Sequence, residues 1–152
     1  MKKYLYVIFL LCTAGLYARQ ITKSELHEVI AIGKSYGVPE SITRQLMYEE
    51  SRGKVDARSD VTHEGYYSAG LFQIYTQPDN YNYLLRKYWK YKEIHFDINN
   101  PCHNATVALH YLSDLHKRFG SWYDALLFYN HGDITTASEK TKAYAQRIIN
   151  AK

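Results

Sequence analysis

The chain is poor in cysteine, with two in 152 residues. Cys12 lies in an N-terminal apolar run, and removal of that run leaves Cys102 as the only thiol, so no intramolecular disulfide can form even in an oxidising compartment. A chain of this length buries a self-sufficient core without cross-links and is expected to fold as one domain. Excess charge of one sign is also scarce. The formal net charge is +4 at pH 7, and loss of Lys2 and Lys3 lowers it to +2, or to +1 if Arg19 goes as well. No basic block with interleaved aromatics stands out, which argues against a nucleic-acid partner. His103, His110 and His116 do not combine with Cys102 into a metal-ligand spacing, so no metal is expected. Internal repeats, low-complexity linkers and a glycine-rich phosphate loop are all missing.

Only one long hydrophobic run exists, "YLYVIFLLCTAGLYA", directly after Lys2 and Lys3. It is too short and wrongly flanked for a membrane span, but fits the basic and apolar regions of a secretory signal. Residues 1–18 are therefore expected to be a signal peptide and 19–152 the exported domain. Ala18 is the preferred end, with Ala14 and Gly15 as alternatives. Cys12 follows Leu10 and Leu11 rather than a small residue, which argues against lipid attachment.

What is present reads as helices. "SELHEVIAIGKSYG" spaces Leu26, Val29, Ile30 and Ala31 behind Ser24 as N-cap and ends at Gly37. "VPESITRQLMYEES" restarts with Pro39 near its first turn and closes near Gly53. From Lys54 to about Tyr67 the chain is polar and aperiodic, a loop or short hairpin, and Pro78, Asp79 and Asn80 mark another break. "HNATVALHYLSDLHKRFG" stripes Ala105, Ala108, Leu109, Leu112 and Leu115, then stops at Gly120. "SWYDALLFYN" and "SEKTKAYAQRIINA" complete a mainly α fold. Asn104-Ala105-Thr106 matches a glycosylation sequon but falls at a helix start.

Glu49 and Glu50 stand together at the end of the second helix. Ile42, Leu46 and Met47 set its apolar direction; Glu50 lies roughly 30° from that direction and Glu49 roughly 70°. A carboxyl held against an apolar wall has its pKa raised and can act as a general acid. A lone pair of glutamates is more often a solvated helix end, so the surrounding pattern decides.

"GVPESITRQLMYEESRGKVDARS", "SAGLFQI", "DINNPCHNATVALHYLSDL", "ALLFYNHG" and "TKAYAQRI", in that order from Gly37 to Ile149, resemble the motifs of the soluble lytic transglycosylase family. The resemblance implies a lysozyme-like α fold in a single domain, with the polar loop or short hairpin following the catalytic helix. It carries the family's catalytic glutamate onto Glu50, followed by Ser51. The second serine, nine residues on and expected near a bound N-acetyl group, falls on Ser59. Gly-Leu-x-Gln falls on Gly70 to Gln73, with Phe72 for the usual methionine and Gln73 facing substrate. Tyr-Asn-x-Gly falls on Tyr129, Asn130, His131 and Gly132, the tyrosine hydroxyl close to the carboxyl and His131 in place of alanine. The last motif matches at Thr141 and Tyr144, but Lys140 stands where a glutamate is usual, with Glu139 one residue earlier. "DVTHEGYYSA" is longer than the usual connection and has Tyr67-Ser68 in place of a small pair.

The implied reaction breaks the β-1,4 bond between N-acetylmuramic acid and N-acetylglucosamine in peptidoglycan, leaving 1,6-anhydromuramoyl ends, with Glu50 as acid and then base and no cofactor. Ser59, Gln73, Tyr129, Asn130 and Tyr144 would bind substrate. A two-carboxylate hydrolase needs a second acid. Goose-type lysozymes, which share the fold, carry an aspartate after their Gly-Leu-Met-Gln motif where this chain has Ile74, Tyr75 and Thr76, leaving Asp60 and Glu64 as candidates by sequence proximity. Two alternatives therefore stay open: a lysozyme-like muramidase, and a catalytically silent peptidoglycan-binding subunit of an envelope-spanning apparatus. The protein is expected in the periplasm or cell envelope as a monomer, its partners being glycan strands and an envelope-assembly protein. Of its 16 tyrosines, Tyr66, Tyr67 and Tyr75 are groove candidates and Tyr81 to Tyr91 are read as structural.

Overall fold

A computed structural model describes residues 18–76 and 83–151. The apolar run with Cys12, the break at Pro78 to Asn80, and Tyr81 lie outside the described residues. Among those described, six helices and one short hairpin are formed: α1 (Lys23–Ser35), α2 (Glu40–Ser51), β1 (Tyr67–Ala69), β2 (Ile74–Thr76), α3 (Tyr83–Tyr88), α4 (Pro101–Phe119), α5 (Trp122–His131) and α6 (Glu139–Ile149). None of these helices is long and apolar enough to cross a membrane.

Five helices close a circuit: α1 packs on α4, α4 on α5, α5 on α6, α6 on α2, and α2 back on α1. The cause is visible in α4, whose expected stripe of Ala105, Ala108, Leu109, Leu112 and Leu115 is fully buried and joined by Val107. Most of the stabilisation of such helices comes from burying this face, at about 25 cal/mol per Å² of apolar surface. Asn100 caps α4 by accepting from the Cys102 and His103 amides, Pro101 occupies the first turn, and Gly120 ends the helix at φ 71°. Ser121 and Ser138 cap α5 and α6 in the same way.

Two readings of α1 are corrected. Its N-cap is Thr22, not Ser24: Thr22 and Glu25 form a capping box, each side chain bonding the other residue's amide. Ala31 is exposed, and Gly33 takes the buried place against Thr43 of α2.

The polar segment after α2 resolves into a loop and a hairpin. β1 and β2 pair antiparallel with Tyr67 opposite Thr76 and Ala69 opposite Ile74. The turn joining them carries the Gly-Leu-Phe-Gln sequence, with Leu71 and Phe72 fully buried as anchors. A Cβ at Gly70 (φ 79°) would collide with the Asn104 amide and the Ile98 carbonyl, so only glycine fits. Asn104 is itself fully buried: it accepts from the Phe72 amide at 2.8 Å and donates to the Ala69 and Ile98 carbonyls at 3.2 and 3.0 Å. The sequon asparagine is thus a clamp between α4 and the hairpin turn, closed to glycosylation.

Candidate active site

The hairpin turn, the end of α2 and the α4–α5 face enclose a cavity of about 490 Å³. Glu50 lines it from α2, Gln73 and Tyr75 from the hairpin, Tyr111 from α4, and Tyr129 and His131 from α5. Ser51, next to the glutamate, is buried and its hydroxyl donates to the Met47 carbonyl, so it finishes the helix. Arg52 follows at φ 57° and turns the chain away.

Glu50 accepts a hydrogen bond from the Tyr144 hydroxyl of α6. Burial, the largest influence, pushes its pKa up from the ordinary carboxylate range to about 7; the Tyr144 bond pulls it down, and the neighbouring Glu49 charge pushes it up. Burial and the Glu50 carboxyl together raise the Tyr144 phenol far above its usual range. Tyr129 shows the same direction for the same two reasons, but its hydroxyl donates to the Phe72 carbonyl at 2.8 Å. The hydrogen bond on Glu50 therefore comes from the last motif, while Tyr129 ties α5 to the hairpin turn beside it.

Gln73 sits at φ 48°, a conformation uncommon for a residue with a side chain. Its amide nitrogen donates to the Ala57 and Gly70 carbonyls at 3.1 and 3.0 Å, which holds the side chain on the cavity wall. Asn130 also lines the cavity and is exposed. Ser59 does not line it. Its hydroxyl accepts from the Ser68 amide at 2.8 Å and donates to the Asp60 carbonyl, and its own amide donates to the Ser68 carbonyl. Ser68 is the serine on the wall, and the pairing that puts it there is the signal sequence reading lacked.

Tyr75 lines the cavity with its ring stacked on Tyr66 at 5.2 Å. Tyr67 is instead buried beneath the Arg58 guanidinium, 3.7 Å from its ring centre. Tyr111, not singled out from sequence, lies 5.7 Å from the Tyr129 ring; it projects beside the α4 stripe, where helical periodicity alone does not separate a core edge from a cavity wall. Among the described residues Glu50 is the one carboxylate lining this cavity. Asp60 and Glu64 are exposed and off the wall. Glu139 and Lys140 are exposed as well, Glu139 pairing with Lys142 at 2.8 Å.

Glu49 holds a finding of its own. Its side chain is only 9% exposed, under a two-pronged bond from Arg147 of α6, Nε to Oε1 at 3.0 Å and Nη2 to Oε2 at 2.9 Å. Those hydrogen bonds hold its carboxyl below the ordinary range.

Residues 28–152 match the family described as "Transglycosylase SLT domain". Among curated proteins, two described as "X polypeptide" from Escherichia coli are 29% identical over 118 residues, 76% of this chain. One of the same description from Escherichia coli strain K12 is 30% identical over the same length. The chain spans 66% of the length of these relatives. No solved structure matches it.

Proposed function

The chain belongs to the transglycosylase SLT domain family, and from that premise we propose that it is a lytic transglycosylase of peptidoglycan, with Glu50 as its sole acid and base. The observation that carries this reading is a carboxyl with its pKa raised to about 7, alone on the described wall of a sugar-sized cavity.

Protonated Glu50 gives its proton to the glycosidic oxygen of the leaving N-acetylglucosamine as positive charge develops at the muramoyl anomeric carbon. The carboxylate left behind accepts the Tyr144 hydrogen bond, which limits the cost of holding a charge in a dry site. It then removes the proton from the muramoyl 6-hydroxyl, whose oxygen closes on the anomeric carbon. One glycosidic bond breaks, one intramolecular ether bond forms, Glu50 ends protonated and no water is consumed. A single carboxyl suffices, whereas hydrolysis by the two-carboxylate route needs a second at a set distance. Gln73, Asn130 and Ser68 supply polar contacts on the wall, and the Tyr75 and Tyr111 rings suit the apolar faces of sugars. Ser59 acts at one remove by fixing Ser68. Export of residues 19–152 to the cell envelope after loss of residues 1–18, and action as a monomer, belong to the same proposal.

Mass spectrometry of the material released from purified peptidoglycan tests it. Anhydromuramoyl ends from the wild type, and none from Glu50→Gln, are expected. Reducing ends heavier by one water would make the protein a muramidase, and strand binding without any product would leave a binding subunit.

A further inference from the structure

A second cavity, of about 500 Å³, opens beside the first and shares two of its walls, Tyr111 and Phe128. Its character differs. Lys87 of α3 and Lys117 and Arg118 of α4 face one carboxylate, Asp114. Asp114 lies 3.5 Å from Lys117 and 4.0 Å from Lys87, so the cleft keeps an excess of positive charge. The Arg118 guanidinium rests 4.9 and 5.2 Å from the Phe119 and Phe128 ring centres, and the Lys87 ammonium 5.6 and 4.9 Å from those of Tyr83 and Tyr88. Stacking on rings holds the Arg118 guanidinium in place while leaving its hydrogen bonds for a ligand, whereas the Lys87 ammonium also donates to the Tyr88 and Tyr83 hydroxyls, which position its charge on the cleft wall.

We propose that this basic, ring-walled cleft binds the peptide stem of the muramoyl residue through the stem's free carboxylates. The inference rests on the transglycosylase reading and names the part of the substrate that reading leaves unplaced. The glycan strand itself is neutral apart from its stems, so the glycan gives the three cations no partner. The geometry is continuous: Tyr88 and Tyr111 rings are 5.6 Å apart and Tyr111 and Tyr129 rings 5.7 Å, a line running from the cleft to the residue beside Glu50. An extended peptide covers roughly 3.3–3.6 Å per residue, so a few stem residues span it. α3 walls both spaces, with Leu84 on the Glu50 side and Lys87 on the basic side. A stem seated here would fix which sugar presents its anomeric carbon to Glu50.

The test compares release rates from intact peptidoglycan and from glycan strands stripped of stems by an amidase, with the lactyl carboxylates so exposed capped as neutral amides, for the wild type and for Lys87→Gln combined with Lys117→Gln. Both lysines are solvent-facing, and their substitution is expected to leave folding intact. The ratio of intact to stripped rates should fall about three- to tenfold in the double variant, and the wild-type ratio should fall as salt rises, since such attractions are screened beyond about 8 Å at physiological ionic strength. Lys87→Arg with Lys117→Arg should keep the ratio. A ratio indifferent to both the variant and salt overturns the inference while leaving the enzyme reading intact. Wild-type inactivity on both substrates overturns that reading and this inference with it.

Discussion

Glu49 and Glu50 leave the last turn of α2 about 100° apart and meet two side chains of the same helix, α6. Glu49 meets Arg147 and Glu50 meets Tyr144. Three positions separate those partners on α6, so they lie on one face and reach both glutamates together. The results are opposite: a carboxyl held below its ordinary pKa on one side, and one raised to about 7 on the other. Neither glutamate is a free surface charge. What separates them is which influence wins: burial outweighs the phenol's hydrogen bond at Glu50, whereas at Glu49 the bonds from a cation outweigh burial and support ionisation.

The contrast breaks most completely at Glu50→Gln, for which turnover should fall about 10³-fold, the usual reach of general acid–base catalysis. The same change should stabilise the protein in mild alkali. Because folding raises the Glu50 pKa from 4.5 to about 7, its proton favours the folded state fully below pH 4.5 and that contribution is lost as pH rises through 7. A glutamine never ionises. Thermal melts at pH 8 should therefore favour Glu50→Gln by about 2–3 kcal/mol, and melts at pH 4 should show little difference.

Tyr144→Phe removes the bond that favours the carboxylate, so the Glu50 pKa should rise further. The alkaline limb of the pH–rate profile should move upward, with turnover at neutral pH lower by about tenfold. An unmoved limb would mean that Tyr144 matters only for packing. Arg147→Met should uncover the charge on Glu49. A melt at pH 7 should fall by about 2–4 °C, and the loss should vanish in acid, because a carboxyl with a lowered pKa lends its stability above the unfolded value and loses it as pH falls. The smallest effect belongs to Glu49→Gln. It removes one of the influences raising Glu50, so the alkaline limb should shift slightly downward with little change in maximal turnover.

Much of this was legible in the chain. The α4 stripe, the glycine stops at Gly37 and Gly120 and the inward lean of Glu50 follow from local periodicity and helix-end chemistry, and the structure has them. The Thr22 cap has a local signature as well, since Thr22-x-x-Glu25 is a capping box, but Ser24 lies nearer the apolar run and carries the same kind of hydroxyl. Long-range pairings were not legible. Arg147 covers Glu49 from 98 positions away, Ser68 reaches the cavity wall because β1 pairs beside Ser59, and Asn104 clamps a turn 32 positions earlier. Each depends on where a second element docks, which local pattern does not encode. The motifs that resemble a family carried part of this information: Gly70 and Gln73 hold their places because α4 and the loop before β1 crowd the turn.

The most direct test of the contrast is a carbon-13 NMR titration of the glutamate side-chain carboxyls, with Glu50→Gln and Glu49→Gln assigning the two resonances. Glu50 should titrate near pH 7 and Glu49 below the ordinary value of 4.5. Two carboxyls titrating together between pH 4 and 5 would contradict it, since Glu50 would then be ionised at neutral pH with no proton to give.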